Sequence, residues 1–452
     1  IRMMFPRSSA SASNASRRST RASSGVSSPA TDRPHSVESR LERTYSQRGF
    51  DVKIAYIFTR FPAPSETFAC NDVRTLKRLG MDVSVYAQRA AFPDSKRMIL
   101  DRGLAGVPVV NCGVREAARG CVNAFSHPLL LIRLLWWITR SDLVRFTHWM
   151  KCVALVPASF YICLRLEKER PDIVHLFWGH YQSLVGFLAR ERLPRSKLSM
   201  FLGAYDLEMG LGISAATANT ADFLFTHAEA NLPRFEAMGI DPGRVHVVHR
   251  GVDVAFIDSV DPGPVDGEER FPVLACVARL VERKGIRDAI RAVHLLKERY
   301  PRVKLFIAGE GSCRRTLAGD VERLNLSNHV TLLGHVPHGT VIDLLKSTHV
   351  FVLPTRCTGE RLPNVIKEAM LCGAIPVTTS SPGIEELVSP GVDGVVLDSG
   401  APDDIARAVV DLMEDEDRRM SMIARARRKV LDRFSIDAQM TRYISVWNGR
   451  EG

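Results

Sequence analysis

From Val52 onward, short apolar runs alternate with longer stretches of helical period. The runs VKIAYIF (52–58), DVSVYA (82–87), DIVHLF (172–177), KLSMFL (197–202), DFLFTH (222–227) and RVHVVH (244–249) read as strands. Helices are predicted at 65–79, capped by Ser65, and at 181–192 and 229–238. Between 90 and 170 the pattern predicts mostly helix without sharp boundaries. Segment 251–270, rich in Asp, Gly and Pro, reads as a linker. The alternation then restarts, with strands PVLACVA, VKLFIAG, HVTLLG, HVFVLP (349–354) and AIPVTT, and helices at 285–299, 312–324, 338–347 and 363–372. Strands that are apolar throughout and separated by helices belong to parallel sheets covered on both faces. The pattern therefore predicts an α/β chain with two doubly wound domains, 51–250 and 271–432, and ligands bound at the strand ends facing a cleft between them. In 433–452, Ile436, Met440, Tyr443 or Ile444, and Trp447 form one stripe of a last helix, expected to pack back on the N-terminal domain.

Composition changes this picture only at the front of the chain. Residues 1–50 hold nine Arg against three acidic residues, so they carry +6 of the net charge of +11. This Ser/Arg-rich tail has too few apolar residues for a core and is expected to be disordered. Because the basic excess sits there, it is weak support for nucleic acid as a partner, and none is expected. The nine cysteines are scattered, without metal-like spacing, and read as reduced thiols of a cytoplasmic protein; no metal is expected. The longest apolar run, LLLIRLLWWI (129–138), is interrupted by Arg133, whereas a membrane-spanning helix needs about 20 residues. No membrane span is expected.

The candidate chemistry lies in the second block. Arg279 and Lys284 follow a strand and suit a diphosphate, as a fork and a point charge, although a solvated pair would have the same spacing. Gly309 and Gly311 stand between a strand and a helix, where glycine allows backbone to approach a ligand or simply makes a tight turn. In GERLPNVIKEAM, Pro363 suits the first turn of a helix, whose free N–H groups favour a phosphate. Glu360 then lies in the loop ahead of it and Glu368 inside it, as acceptors for sugar hydroxyls or as plain solvated carboxylates.

Taken in order, VARLVERKG, IAGEG, STHVFVLPT, GERLPNVIKEAM, CGAIPVTTSSPGIEELV and GVDGVVLD resemble the donor-binding domain of retaining glycosyltransferase family 4. The likeness is strong over about 271–400, weaker over 51–88 and 171–253, and absent over 1–50. It implies the GT-B fold, two Rossmann-like domains facing a cleft. Glu360 and Glu368 match the family's E-x7-E signature around Leu362, Pro363 and Asn364. Phe61-Pro62…Ser65-Glu66-Thr67-Phe68 resembles the exopolysaccharide and colanic-acid-type members, which implies an acceptor-side role for Ser65, Glu66 and Thr67. Two positions depart from the pattern. Arg361 stands where the family has Gly, so it would either block the phosphate or add a contact to it. Asp206 matches a His-Gly-x-Asp pattern in which Gly203 replaces the His, with His175 and His180 as possible substitutes.

The resemblance implies a metal-independent hexosyltransferase with no cofactor beyond its co-substrate, a nucleoside-diphosphate sugar. The acceptor would be a saccharide or a lipid-linked saccharide. Arg279 and Lys284 would neutralise the leaving diphosphate, with Glu360 on the sugar and Glu368 on the ribose. The leaving phosphate would take the acceptor proton on the same face. A non-catalytic saccharide- or nucleotide-binding relative is the alternative. A glycoside hydrolase fits less well, because it needs its two carboxylates on either side of the scissile bond. Finally, Arg133, Arg140 and Arg145 interleave with Leu, Trp and Phe over 127–149. A helix there is expected to pack on the first sheet, with peripheral contact to the inner face of a membrane as the alternative.

Overall fold

The computed structural model describes residues 52–63, 67–142, 145–261, 271–356 and 361–449. Two parallel sheets organise them. The first contains β1 (Lys53–Phe58), β2 (Asp82–Ala87), β3 (Val109–Asn111), β4 (Ile173–Phe177), β5 (Lys197–Phe201), β6 (Phe223–Thr226) and β7 (Val245–Val247), in the order β3-β2-β1-β4-β5-β6-β7. The second contains β8 (Val273–Val277), β9 (Lys304–Ala308), β10 (Val330–Gly334), β11 (Val350–Leu353), β12 (Ile375–Thr379) and β13 (Val395–Leu397), in the order β10-β9-β8-β11-β12-β13. Every pairing is parallel. The central strands are buried along their length, β4 and β11 completely, because helices cover both faces. This is the GT-B architecture of two Rossmann-like domains.

The order reverses between β1 and β4 in one sheet and between β8 and β11 in the other. At such switch points neighbouring loops diverge and leave a crevice at the carboxyl ends. The signature segments follow β1, β8 and β11, so they fall at these two places.

The chain crosses between domains twice, and the crossings are bonded side by side. Val252 N–H donates to Phe434 O (2.8 Å) and Ile436 N–H to Val252 O (2.9 Å). The helix Ile436–Trp447 then lies on the first domain. Trp447 Nε1 donates to Ser199 Oγ of β5 (2.9 Å), Tyr443 stacks on Phe225 of β6 (4.2 Å), and Gln439 Nε2 donates to the buried Asp72 (3.1 Å).

Helices Val114–Phe125, Pro128–Asp142 and Phe146–Glu169 form a layer over the first sheet. The last differs from the expectation that no segment reaches membrane-spanning length: it has 24 residues and a mean hydropathy of 1.4. Its apolar face is used within the protein, with Cys152, Phe160, Ile162, Cys163 and Leu166 all at 0% exposure. The sequence hides this helix because Pro157 and scattered polar residues interrupt any unbroken apolar run.

Candidate active site

Between the two switch points lies a cavity of about 900 Å3. Thr67, Phe68, Asn71 and Arg74 line it from the first domain, and Gly251, Val252, Asp253 and Phe256 from the crossing. The second domain contributes Val277–Arg279, Ala308–Glu310, His335–His338, Val341, Asn364 and Glu368. The size suits a ligand of nucleotide-sugar dimensions.

Arg279 is held by backbone. Ala278 N–H donates to Ala308 O (3.1 Å), Leu280 N–H to Glu310 O (2.9 Å) and Cys313 N–H to Leu280 O (2.9 Å), joining the loops after β8 and β9. A Cβ on Gly309 would lie 1.9 Å from Ala278 O, and one on Gly311 2.3 Å from Leu280 O. Both glycines are therefore required by the approach of two protein backbones, and by that approach they position the exposed Arg279 at the cleft. Gly309 lines the cavity; Gly311 is not among the described residues that do. Lys284 ends the 3-10 turn Glu282–Lys284, is buried at 7% exposure, and likewise is not among the described lining residues.

The helix Asn364–Cys372 starts directly after Pro363 and ends at Gly373 in the left-handed region. Its first residue, Asn364, reaches the cavity, and Glu368 follows one turn later. Glu368 Oε1 accepts from His338 Nε2 (2.9 Å), whose ring stacks on Phe256 (4.9 Å, 15°). The hydrogen bond and charge of Glu368 raise the His338 pKa. A raised histidine contributes stability below its unfolded value, and that contribution is lost as pH rises through the folded value. His338 is about half exposed, so the energy is small. In Glu368→Gln, the imidazole signals of His338 should titrate at lower pH by NMR; an unmoved titration would show that no such pair forms in solution.

The neighbouring Lys367 is fully buried and donates to Arg250 O (2.7 Å) and Asn364 Oδ1 (3.1 Å). Burial, reinforced by Arg250, pushes its ammonium down to about 7. Leu362 and Pro363 are buried and are not among the described lining residues. Arg361 is held by the first domain. Its Nε donates to Asn231 Oδ1 of the first domain (3.1 Å), and the side chain is buried there, away from the cleft lining. Beside it Glu386 makes a second link between the domains, accepting from Glu229 N–H (2.9 Å), Ala230 N–H (3.0 Å) and His249 Nε2 (3.1 Å). Glu360 lies outside the described residues.

On the opposite wall Thr67 reaches the cavity, while Ser65 and Glu66 also lie outside the described residues. Asp206 is fully buried and joins the loops after β4 and β5. It accepts from Gly179 N–H (2.8 Å) and Gly203 N–H (2.8 Å), with His180 Nε2 at 3.4 Å. Burial raises its pKa, and His180 is the main opposing influence. Neither Asp206 nor His180 is among the described lining residues; they shape the wall behind the cleft. His175 is different: it is a core residue of β4, bonded to Ser199 Oγ (2.8 Å) and pushed down to about 3 by burial.

The place of the missing His at 203 is taken by Trp178. A Cβ on Gly203 would lie 2.4 Å from the Trp178 ring, which packs on Phe68, Phe177 and Phe201. Trp178 holds a left-handed backbone (φ 86°), rare for an aromatic residue. Arg250 lies over Phe68 (4.2 Å) and Phe201 (4.8 Å) in the same cluster. Trp178 and Arg250 carry no local signal beyond following the end of a strand. His335 and His338 share that signal, lying just past β10.

Residues 264–429 match the family model described as glycosyl transferases group 1. A protein of Escherichia coli K12 named WcaL, a colanic acid biosynthesis glycosyltransferase by assignment, is 31% identical over 404 residues. The alignment covers 85% of this chain and 96% of that protein. WcaL of Salmonella typhimurium is 25% identical over 409 residues, covering 86% and 97%. Among solved structures, Anabaena Alr3699/HepE in complex with UDP superposes with a TM-score of 0.66 at 17% identity, covering 88% of this chain and 100% of that one.

Proposed function

The chain belongs to the group 1 glycosyl transferases, and on that premise we propose a retaining hexosyl transfer from a nucleoside-diphosphate sugar to a saccharide or lipid-linked saccharide. The process served would be cell-surface or exopolysaccharide assembly. The observation that supports this reading best is a single cavity in which Arg279, Gly309, Asn364 and Glu368 face Thr67 and Phe68. One wall carries cation, helix N-terminus and carboxylate; the other is open to an acceptor.

The roles follow from charge. As the sugar–phosphate bond breaks, negative charge grows on the diphosphate, and donors already in place lower that barrier without reorganising. Arg279, Lys284 and the helix N–H groups at Asn364 would supply that field, and a metal would then not be required. Glu368 would exchange His338 for ribose hydroxyls, and Glu360 would accept from the transferred sugar. The departing phosphate oxygen would take the acceptor proton on the same face. The described cysteines are all free thiols, in keeping with work in the cytoplasm.

Thermal shifts with UDP, GDP and their sugar conjugates test the reading. A ligand at a hundred times its dissociation constant adds about 2.7 kcal/mol. One nucleoside diphosphate should give that stabilisation. Glu368→Gln should raise its dissociation constant roughly tenfold, the loss of one charge-assisted bond, which cuts the stabilisation at the same ligand concentration to about half. Absence of any shift together with absence of nucleotide-sugar turnover would overturn the proposal.

A further inference from the structure

The helical layer of the first domain leaves an apolar surface uncovered. Val114, Val122 and Phe125 on its first helix are 70–88% exposed, and Leu129, Ile132 and Trp136 on the second are 62–77% exposed. Phe146 and Met150 add 60% and 52% at the start of the third. The spacing is that of helix faces: 122 and 125, then 129, 132 and 136, then 146 and 150. The opposite face of the second helix is used inside the domain, with Leu134 and Ile138 at 0% and Trp137 against Phe187 (4.9 Å). The second helix thus packs on the domain as expected and also presents an exposed apolar face.

Cations border the exposed face. Arg115, Arg119, Arg140, Arg145 and Lys151 are exposed, and Arg133 is exposed but paired with Glu191 (2.7 Å), so 114–151, with Glu116 and Asp142, carries +4 and with Glu191 +3. Arg140 lies over the Trp136 ring at 5.3 Å. Exposed leucine, isoleucine, phenylalanine and tryptophan bordered by arginine match a bilayer interface, where the rings sit at headgroup depth and the cations meet anionic lipid.

The surface also adjoins the cleft edge of the first sheet. Arg145 donates to Met209 O in the helix after β5, and His148 stacks on Tyr181 (5.2 Å), just past β4. We propose that this layer docks on a bilayer with anionic headgroups, so that the acceptor reaches the cleft from the membrane. The inference deepens the functional reading and rests on its lipid-linked acceptor.

The test floats the full chain with vesicles of phosphatidylcholine alone, and of an equal mixture of phosphatidylcholine and phosphatidylglycerol, at low and molar salt. The protein should float with the anionic vesicles, and less so at high salt, where the Debye length falls from about 10 Å to about 3 Å. Leu129→Ser/Ile132→Ser/Trp136→Ser should lower partitioning by about tenfold or more while nucleoside-diphosphate binding stays unchanged. Arg115→Gln/Arg119→Gln, both on exposed side chains, should reduce the salt-sensitive part, and decides the matter should the triple variant lose its melting transition. Three results overturn the inference: no flotation of the wild type at low salt; flotation of both variants equal to wild type, which would assign binding to the arginine-rich residues 1–50; or a change of sedimenting mass in the triple variant without vesicle binding, which would make the face a contact between copies. Nucleotide binding read on the same samples separates failure of this surface from failure of the functional reading.

Discussion

Arg279→Ala should lower turnover by about a hundredfold or more, the scale on which removing one preorganised donor from a developing charge is felt. The same variant should bind a nucleoside without phosphates within about threefold of wild type, because uniform binding is not what the guanidinium supplies. Arg279 is exposed at the cleft and held by the backbone bonds of its neighbours, so truncating its side chain leaves the loop intact. Lys284→Ala should show the same division between diphosphate and nucleoside. Its burial requires the melting temperature to be read alongside. Equal losses for nucleoside and diphosphate in either variant would make the effect structural.

Gly203→His, which restores the residue the family pattern has there, should cost about 3 kcal/mol or more, at the upper end for overpacking a core. Its Cβ would start 2.4 Å from the Trp178 ring, and that ring is pinned by Phe68, Phe177 and Phe201. Trp178→Gly alone trades lost aromatic packing for relief of a left-handed backbone. The double variant should therefore be more stable than the sum of the two changes by at least ~1 kcal/mol, a coupling expected of residues in contact. Denaturant melts of the four proteins measure it. Additive losses would mean that Trp178 and Gly203 do not compensate one another.

The two-domain plan was legible because buried parallel strands must be apolar along their whole length. The edge strands β3 (Val109–Asn111) and β13 (Val395–Leu397) are not among the predicted strands; each has three half-buried residues, as has β7, which is predicted. Arg279 and Gly309 stand out because residues just past strand ends reach the crevice, and Asn364 and Glu368 because Pro363 marks the start of the helix that carries them. What stayed hidden depends on partners far away in the chain. Nothing local tells that Arg361 turns toward Asn231, 130 residues earlier, or that His338 sits on Glu368. The sequence also shows that residue 203 is glycine, but not that a tryptophan elsewhere fills its space.

The last helix gives the order of synthesis a structural meaning. Tyr443 and Trp447 cover β5 and β6 of the first domain, yet they leave the ribosome only after the whole second domain has done so. Domains generally form as they emerge, N-terminal first. Here the first domain must wait, with Phe225, His175 and Ser199 lacking their partners from the last helix, until the second is made. The N-terminal domain is thus translated before the second and finished after it, and a ribosome stalled anywhere before Ile436 holds an incomplete N-terminal core.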